Sequence, residues 1–313
     1  MYRIGVDLGG TNIAVGLVDE NYTIISKRSR PTNPKRTAEE IADDIVALCF
    51  EVCSAGNTEM SQISNIGVVS PGIANCDSGE VEYASNLPFR NFNMSNYVKE
   101  RTGVARVALA NDANAAAWGE AVAGAAKGSS SSIMITLGTG VGGGIILDGK
   151  ILTGCNFAGA ELGHMVIEKN GVPCPCGRRG CWESYSSATA LVRMTKEKIE
   201  EYNKAGKKTV MSDEKKITGR TACDAMRAGD AAGREVYEEY LSYLATGLAN
   251  IINIFQPEVI SLGGGVSGEG QSLIDDLTPL VRAEQYGKTL AKKTELRIAQ
   301  LGNDAGIIGA AAL

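Results

Sequence analysis

Asp7-Leu8-Gly9-Gly10-Thr11-Asn12 follows a short apolar run, Ile4 to Val6, and the chain then continues into a second one, Ile13 to Val18. A strand that enters a glycine turn and leaves as another strand can bring its backbone close to a phosphate, and Thr11 and Asn12 add side-chain hydrogen bonds. Taken alone, a plain hairpin turn would also want glycine there. The same plan returns at Leu137-Gly138-Thr139-Gly140-Val141-Gly142-Gly143-Gly144, which holds more glycine than a hairpin needs. Placing Leu8-Gly9 on Leu137-Gly138 aligns Ile4 with Ile133 and Val6 with Ile135, so two lobes built on one plan are expected. A third glycine turn, Gly263-Gly264-Gly265, follows the apolar run Val259 to Leu262.

Around these turns, strand-like and helix-like patterns alternate, which predicts a mixed α/β sheet architecture. Ile41, Ile45, Leu48 and Val52 recur at helical spacing between Thr37 and Ser54, and Cys49 and Cys53 fit that helix as small hydrophobes. Further strands are predicted at Ile24 to Ser26, Ile66 to Val69 and Val107 to Ala110, with a long helix from Ala231 to Phe255 ahead of Pro257. Lys204 to Lys216 reads as a solvated loop. The apolar Ala305 to Leu313 reads as a helix packed on the body, returning to the first lobe. The lobe boundary is drawn at Asn111, giving a small lobe 1–111 with 303–313 and a large lobe 112–302.

With 313 residues, 44% of them hydrophobic, the chain can bury a large core. Its net charge of -5 offers no basic face for a polyanion, so nucleic acid is not an expected partner. The strand-like start at Met1-Tyr2-Arg3-Ile4 shows no signal-peptide pattern, and no run is apolar enough to span a membrane. The expected location is the cytoplasm, where eight cysteines are more suited to metal or thiol chemistry than to disulfides.

The only histidine, His164, stands ten residues before Cys174-Pro175-Cys176-Gly177-Arg178-Arg179-Gly180-Cys181. One imidazole and three thiolates, from His164, Cys174, Cys176 and Cys181, complete a tetrahedral Zn²⁺ shell with no open position for water, so a structural zinc is predicted. Asn111-Asp112 ends a strand and opens a helix; Asp112 reads either as the helix N-cap or as a carboxylate able to take a proton.

Two glycine clamps and a third turn for the nucleoside match the layout of the actin-like and hexokinase superfamily, a two-lobed ribonuclease H-like α/β ATPase fold with a cleft. No G-x-x-x-x-G-K-[ST] motif occurs. Gly159-Ala160-Glu161-Leu162-Gly163-His164, then C-x-C-G-x-x-G-C, then Trp182-Glu183-Ser184, resembles the signature of the ROK family, and the similarity spans the chain. The resemblance implies an ATP-dependent hexose kinase, most like the bacterial glucokinases. It makes Asp112 the catalytic base and Asn86, Asn111, Glu161, His164 and Glu183 sugar ligands, with Gly72 beside the sugar. It places Asp7 near Mg²⁺ and Gly9, Gly10, Thr11, Asn12, Thr139, Gly140, Gly264 and Gly265 around ATP. It also implies a homodimer or homotetramer. Fructose, mannose, allose and N-acetylhexosamine kinases use a similar scaffold. Sugar-sensing repressors of the family carry a DNA-binding segment ahead of the first glycine motif, which here begins at residue 7, so an enzyme is expected.

Overall fold

The computed structural model describes residues 1–313, which divide by contact into two compact units. Unit 1 comprises Met1–Met134, Gly144–Ala160 and Ala299–Leu313; unit 2 comprises Ile135–Gly143 and Glu161–Ile298. The sequence boundary at Asn111 therefore differs from the contact boundary, because residues 112–134 lie with unit 1. No helix is long and apolar enough to cross a membrane.

Unit 1 opens with β1 (Tyr2–Leu8), β2 (Asn12–Val18) and β3 (Ile24–Pro31), followed by α1 (Ala38–Ala55) and β4 (Ile63–Ser70). A small sheet of β5 (Ile73–Asn75), β6 (Glu80–Tyr83) and β7 (Arg90–Asn93) intervenes before α2 (Met94–Thr102), β8 (Val107–Asn111) and α3 (Asp112–Ala123). The main sheet has the order β3-β2-β1-β4-β8, with β1 antiparallel to β2 and parallel to β4. Helix α1 starts where the sequence pattern places it: Thr37 and Glu40 form a reciprocal capping box, and Ile41, Ile45, Leu48, Cys49, Val52 and Cys53 are buried.

Next come β9 (Ser132–Leu137), β10 (Val141–Leu147) and β11 (Lys150–Ile151), with β9 and β10 passing from one unit into the other. Then follow α4 (Glu183–Ser186), α5 (Ala188–Lys204), α6 (Thr221–Arg227), α7 (Ala231–Phe255), β12 (Val259–Gly263), α8 (Gln271–Glu284), β13 (Glu295–Ile298) and α9 (Ala305–Ala311). The second main sheet runs β11-β10-β9-β12-β13, the same plan as the first. The Lys204 to Lys216 stretch departs from a fully solvated loop: it contains a 3-10 turn, Val210–Asp213, whose Met211 is buried. Asp230 fastens that turn through Thr209 Oγ1 and the Val210 amide, each at 3.0 Å.

Helix α9 closes unit 1 by backbone-to-backbone packing. A Cβ on Gly5 of β1 would stand 1.9 Å from the Ile307 carbonyl oxygen, and one on Gly67 of β4 1.8 Å from that of Ala310. On the other side, a Cβ on Gly309 would lie 1.8 Å from the Ala115 oxygen, and one on Gly119 2.6 Å from the Ala305 oxygen, so α3 and α9 touch without side chains between them. The last carbonyls of the chain, which a helix end leaves unpaired, accept from Asn65 Nδ2 (Ala311, 3.1 Å), Trp118 Nε1 (Ala312, 3.1 Å) and Arg106 (Leu313, 2.8 Å). Because backbone cannot give way as a flexible side chain can, Gly309→Ala should lower the unfolding free energy by about 3 kcal/mol. Urea unfolding of the variant against the parent measures this; a change within about 0.5 kcal/mol would contradict the packing described.

Candidate functional site

In unit 1 the first glycine turn is stapled from behind. The Gly9 amide donates to the Asn12 carbonyl at 2.9 Å, and the fully buried Thr32 donates its hydroxyl to the Gly9 carbonyl at 2.7 Å. Thr11 and Asn12 are left exposed at the rim. Asn86 lies directly on this turn: a Cβ on Gly10 would come 2.5 Å from Asn86 Nδ2. Glycine is needed here to let that amide approach the turn.

The start of α3 separates the two readings of Asp112. The N-cap is Asn111, whose Oδ1 accepts from the amides of Ala113 (3.0 Å) and Asn114 (3.3 Å). Its Nδ2 donates to the Gly72 carbonyl at 3.1 Å, tying the Pro71-Gly72 loop to the helix start. The capping role expected of Asp112 as one alternative thus belongs to its neighbour. Asp112 is the first helical residue, exposed to solvent, with Oδ1 accepting from the Ala113 amide at 2.9 Å and a further hydrogen bond coming from the Asn111 side chain. Protein around it still removes enough water to hold its carboxyl above the ordinary value, against the pull of that amide. Asp7, at the end of β1, is pushed up to about 6, first by burial and then by the negative charge of Asp112, with Lys27 opposing. Lys27 in turn is paired with Asp304. The two carboxylates therefore feel each other.

In unit 2 the second turn is closed by the Gly138 amide donating to the Gly140 carbonyl at 3.0 Å. Thr189 Oγ1 donates to the Thr139 carbonyl at 2.7 Å, and the Ala188 amide to that of Gly138 at 2.8 Å, so the start of α5 supports the turn. Gly264 sits against its rear: a Cβ there would be 2.6 Å from the Leu137 carbonyl oxygen. Gly265 next to it is open. Glu183 reaches the same turn, with Oε2 accepting from the Val141 amide at 3.0 Å.

The other oxygen of Glu183 lies 3.7 Å from Cys174 Sγ, at the edge of the His/Cys set. His164, Cys174, Cys176 and Cys181 bring one donor atom each to within 4.8 Å of one another. Zinc bonds of about 2.3 Å to sulfur and 2.0–2.1 Å to nitrogen place tetrahedral S and S about 3.8 Å apart, and N and S about 3.6 Å apart. The observed separations are 3.7 Å for Cys176 and Cys181, and 3.6 Å for His164 Nδ1 and Cys174. The donor set fits a tetrahedral ion, with Nδ1 as the imidazole ligand and Nε2 left for another partner. Burial pushes the Cys181 thiol up to about 12, with the neighbouring sulfurs adding, whereas the Arg178 amide lowers that of Cys176. A divalent cation favours the thiolate form of such a cluster. The loop is anchored by Trp182, fully buried, which donates from Nε1 to the Tyr243 carbonyl of α7 at 3.0 Å. Glu161 is exposed, three residues from His164, whose amide its carbonyl accepts at 3.0 Å.

The structure thus brings Asp7, Gly9, Gly10, Thr11, Asn12, Gly72, Asn86, Asn111 and Asp112 together in unit 1. It gathers Thr139, Gly140, Glu161, His164, Glu183, Gly264 and the three cysteines in unit 2. Thr32 and Lys27 also build these sites, and nothing in their sequence surroundings singles them out for that work; a threonine after a strand or a lysine within one is ordinary.

The ROK family model matches residues 3–313. The glucokinase of Thermotoga maritima is 36% identical over 311 residues, covering 99% of this chain and 96% of that one. Among solved structures, a ROK family glucokinase from Streptomyces griseus in complex with glucose and AMPPNP is 36% identical, with a TM-score of 0.77 over 100% of this chain and 98% of that one. The ROK hexokinase of Thermus thermophilus is 32% identical, with a TM-score of 0.80 over 99% and 97%. The fold is the two-domain actin-like and hexokinase α/β fold, as the repeated glycine turns predict. With its paired sheets, its glycine turns and its His/Cys loop, this chain is a member of the ROK family.

Proposed function

We propose that the chain is a glucokinase, transferring the γ-phosphoryl group of ATP to the 6-hydroxyl of glucose. The observation that carries this reading is the placing of Asp112 at the first residue of α3: Asn111 takes the cap, Asp112 faces solvent, and its carboxyl is raised from its ordinary value by burial. Phosphoryl transfer asks of the protein a positioned carboxylate and phosphate-facing backbone, and little covalent chemistry. The resemblance to glucokinases over 99% of the chain, and to a structure holding glucose and AMPPNP, supports both the reaction and the sugar.

In this mechanism Asp112 accepts the proton of the sugar hydroxyl as its oxygen attacks the γ-phosphorus. The bond to the β-bridging oxygen breaks, ADP leaves, and the proton passes from Asp112 to solvent. A base poised above its ordinary pKa takes that proton more readily than a normal aspartate would. For the nucleotide, unit 1 offers the Gly9-Gly10 turn with Thr11 and Asn12, and unit 2 offers the Gly138-to-Gly140 turn with Thr139 and the Gly264-Gly265 turn. For the sugar, unit 1 offers Asn86 and Asn111, and unit 2 offers Glu161, Glu183 and His164, whose Nε2 the cluster leaves over. Mg²⁺ arriving with ATP would neutralise phosphate charge, and Asp7 is the carboxylate that would stand near it. His164, Cys174, Cys176 and Cys181 would hold zinc, which would stiffen the loop that bears Glu161 and Glu183 as a structural ion.

ADP release from MgATP, with glucose, fructose, mannose, allose and N-acetylhexosamines supplied one at a time, should respond most strongly to glucose; a stronger response to another sugar would replace the substrate. Asp112→Asn should lower kcat by about 10²–10⁴ while leaving glucose affinity within a few-fold, measured by turnover and calorimetry. Near-normal turnover in that variant would remove Asp112 from its role.

Asp7 gives a test through stability. Its folded pKa of about 6 lies above the ordinary value of 3.8, so the folded state holds the extra proton between these limits. The burial penalty is thus absent below about pH 4 and fully present above about pH 6, and stability falls as pH rises between them. Asp7→Asn should flatten this slope in urea unfolding between pH 4 and 7. It should also raise stability near pH 7 by about 1 kcal/mol, a discounted share of 1.36 kcal/mol per pKa unit, while lowering activity with MgATP. For the metal, elemental analysis should find about one zinc per chain, and its removal by a chelator should weaken glucose binding more than ATP binding. Protein that lacks zinc yet binds glucose normally would contradict the role given to the loop.

A further inference from the structure

Glu120 is fully buried on α3, two turns beyond Asp112. The partners of its carboxylate are all backbone amides. Oε2 accepts from Ala125 at 2.6 Å, and the pair of oxygens accepts from Gln300 at 2.9 and 3.1 Å and from Leu301 at 2.8 Å. A buried charge survives where hydrogen bonds replace the water it loses, and here they come from two segments about 180 residues apart. The end of α3 is shaped to admit it: a Cβ on Gly124 would stand 2.1 Å from Glu120 Oε2.

The location of the bound amides gives this anchor its meaning. Gln300 and Leu301 come directly after the point, between Ile298 and Ala299, where the chain re-enters unit 1. They lead through the turn Gly302–Asp304 into α9. Asp304 pairs with Lys27, the cation that opposes the raised pKa of Asp7. Gly306 then lies on Asp7 itself, since a Cβ there would be 2.5 Å from Oδ2. One end of this path is the helix that presents Asp112, and the other end is the contact to Asp7.

We propose that Glu120 is a positioning residue for phosphoryl transfer: by holding the amides of residues 300 and 301 to the end of α3, it sets the register of α9 against α3, and with it the spacing of Asp7 and Asp112. The inference rests on the functional reading above, which gives those two carboxylates their work. Misplacement of reacting groups by about 1 Å can cost about 10²-fold in rate without weakening binding.

The test is steady-state kinetics on Glu120→Gln, Glu120→Asp and Gly124→Ala, with hydrogen exchange across residues 299–311. Glutamine keeps the shape but turns an amino group towards a backbone N–H. Its kcat should fall at least tenfold, while KM for glucose and for ATP stays within twofold. Aspartate keeps the charge but withdraws the oxygens, so it should fail to restore kcat. Gly124→Ala displaces the carboxylate without removing it and should give a smaller loss of the same kind. Exchange over residues 299–311 should speed up in all three. Unchanged kcat in Glu120→Gln, full rescue by aspartate, or a parallel rise of both KM values with the loss of kcat would each overturn the proposal. If Glu120→Gln does not fold, Gly124→Ala decides by the same criteria. If even the parent transfers no phosphate while exchange still accelerates in the variants, the functional reading is what fails, and the anchoring of α9 stands.

Discussion

The architecture of unit 1 depends on the backbone contact of α9 with β1, β4 and α3. Four glycines on separate elements, Gly5, Gly67, Gly119 and one on α9 itself, Gly309, leave no side chain between the carbonyls and the opposing backbone. Such contacts exchange side-chain packing volume for proximity, and their tolerance is a few tenths of an ångström. Because α9 lies at the end of the chain and β1 at its beginning, the contact is as long-range as this sequence allows. Loop closure over that span must precede any return from it, so this part of unit 1 is expected to consolidate late in folding. Both Asp7 and Asp112 stand on elements that α9 touches, so the same contact that completes the fold also fixes the acids.

Unit 2 uses a different device for a similar purpose. Glu183 has one oxygen on the Val141 amide, at the glycine turn, and the other beside Cys174. The metal-type cluster and the turn are therefore one connected polar structure, with Trp182 driven into the core next to it. With the proposed ion bound, the loop would hold a short α4 and two exposed turns where a hydrophobic core is thin. It also explains why Glu183 follows directly on the last cysteine and tryptophan: the side chain has only the width of the loop to bridge.

The glycine turns and the His/Cys set are legible in the sequence because each needs residue types that few other contexts demand. Strand–glycine–strand repeated at two places announces two sheets of one plan, and three cysteines with the only histidine announce a tetrahedral shell. The helix patterns of α1 and α7 are legible for the ordinary reason that one face is apolar. Other features carry no such mark. Asn111 and Asp112 are both good capping residues, and only the backbone decides that Asn111 caps while Asp112 becomes the first helical residue. Glu120 reads as one more acidic residue in a helix; its burial follows from α9, which is packed by glycine contacts that leave no hydrophobic period to detect. The short strands β5 to β7 fall below the length at which alternation can be distinguished from loop. The domain boundary is displaced for the same reason as Glu120, since α3 belongs to unit 1 through contacts with the far end of the chain.

The electrostatics of unit 1 give the last step. Desolvation raises the cost of ionising both Asp7 and Asp112, and the charge of Asp112 adds to it at Asp7. A fold selected for stability alone would place an asparagine at one position or a second cation nearby. Instead Lys27, the cation that opposes the raised pKa of Asp7, is shared with Asp304, so only part of its charge acts on Asp7. Like charge only partly relieved beside a glycine turn suits the proposed function, in which a divalent cation arriving with the nucleotide would supply the missing positive charge. On this view the pair is destabilising in the free protein and becomes matched only when nucleotide is present. Binding energy from the ligand offsets a strain that the chain holds in advance, which ties readiness for catalysis to occupancy of the site.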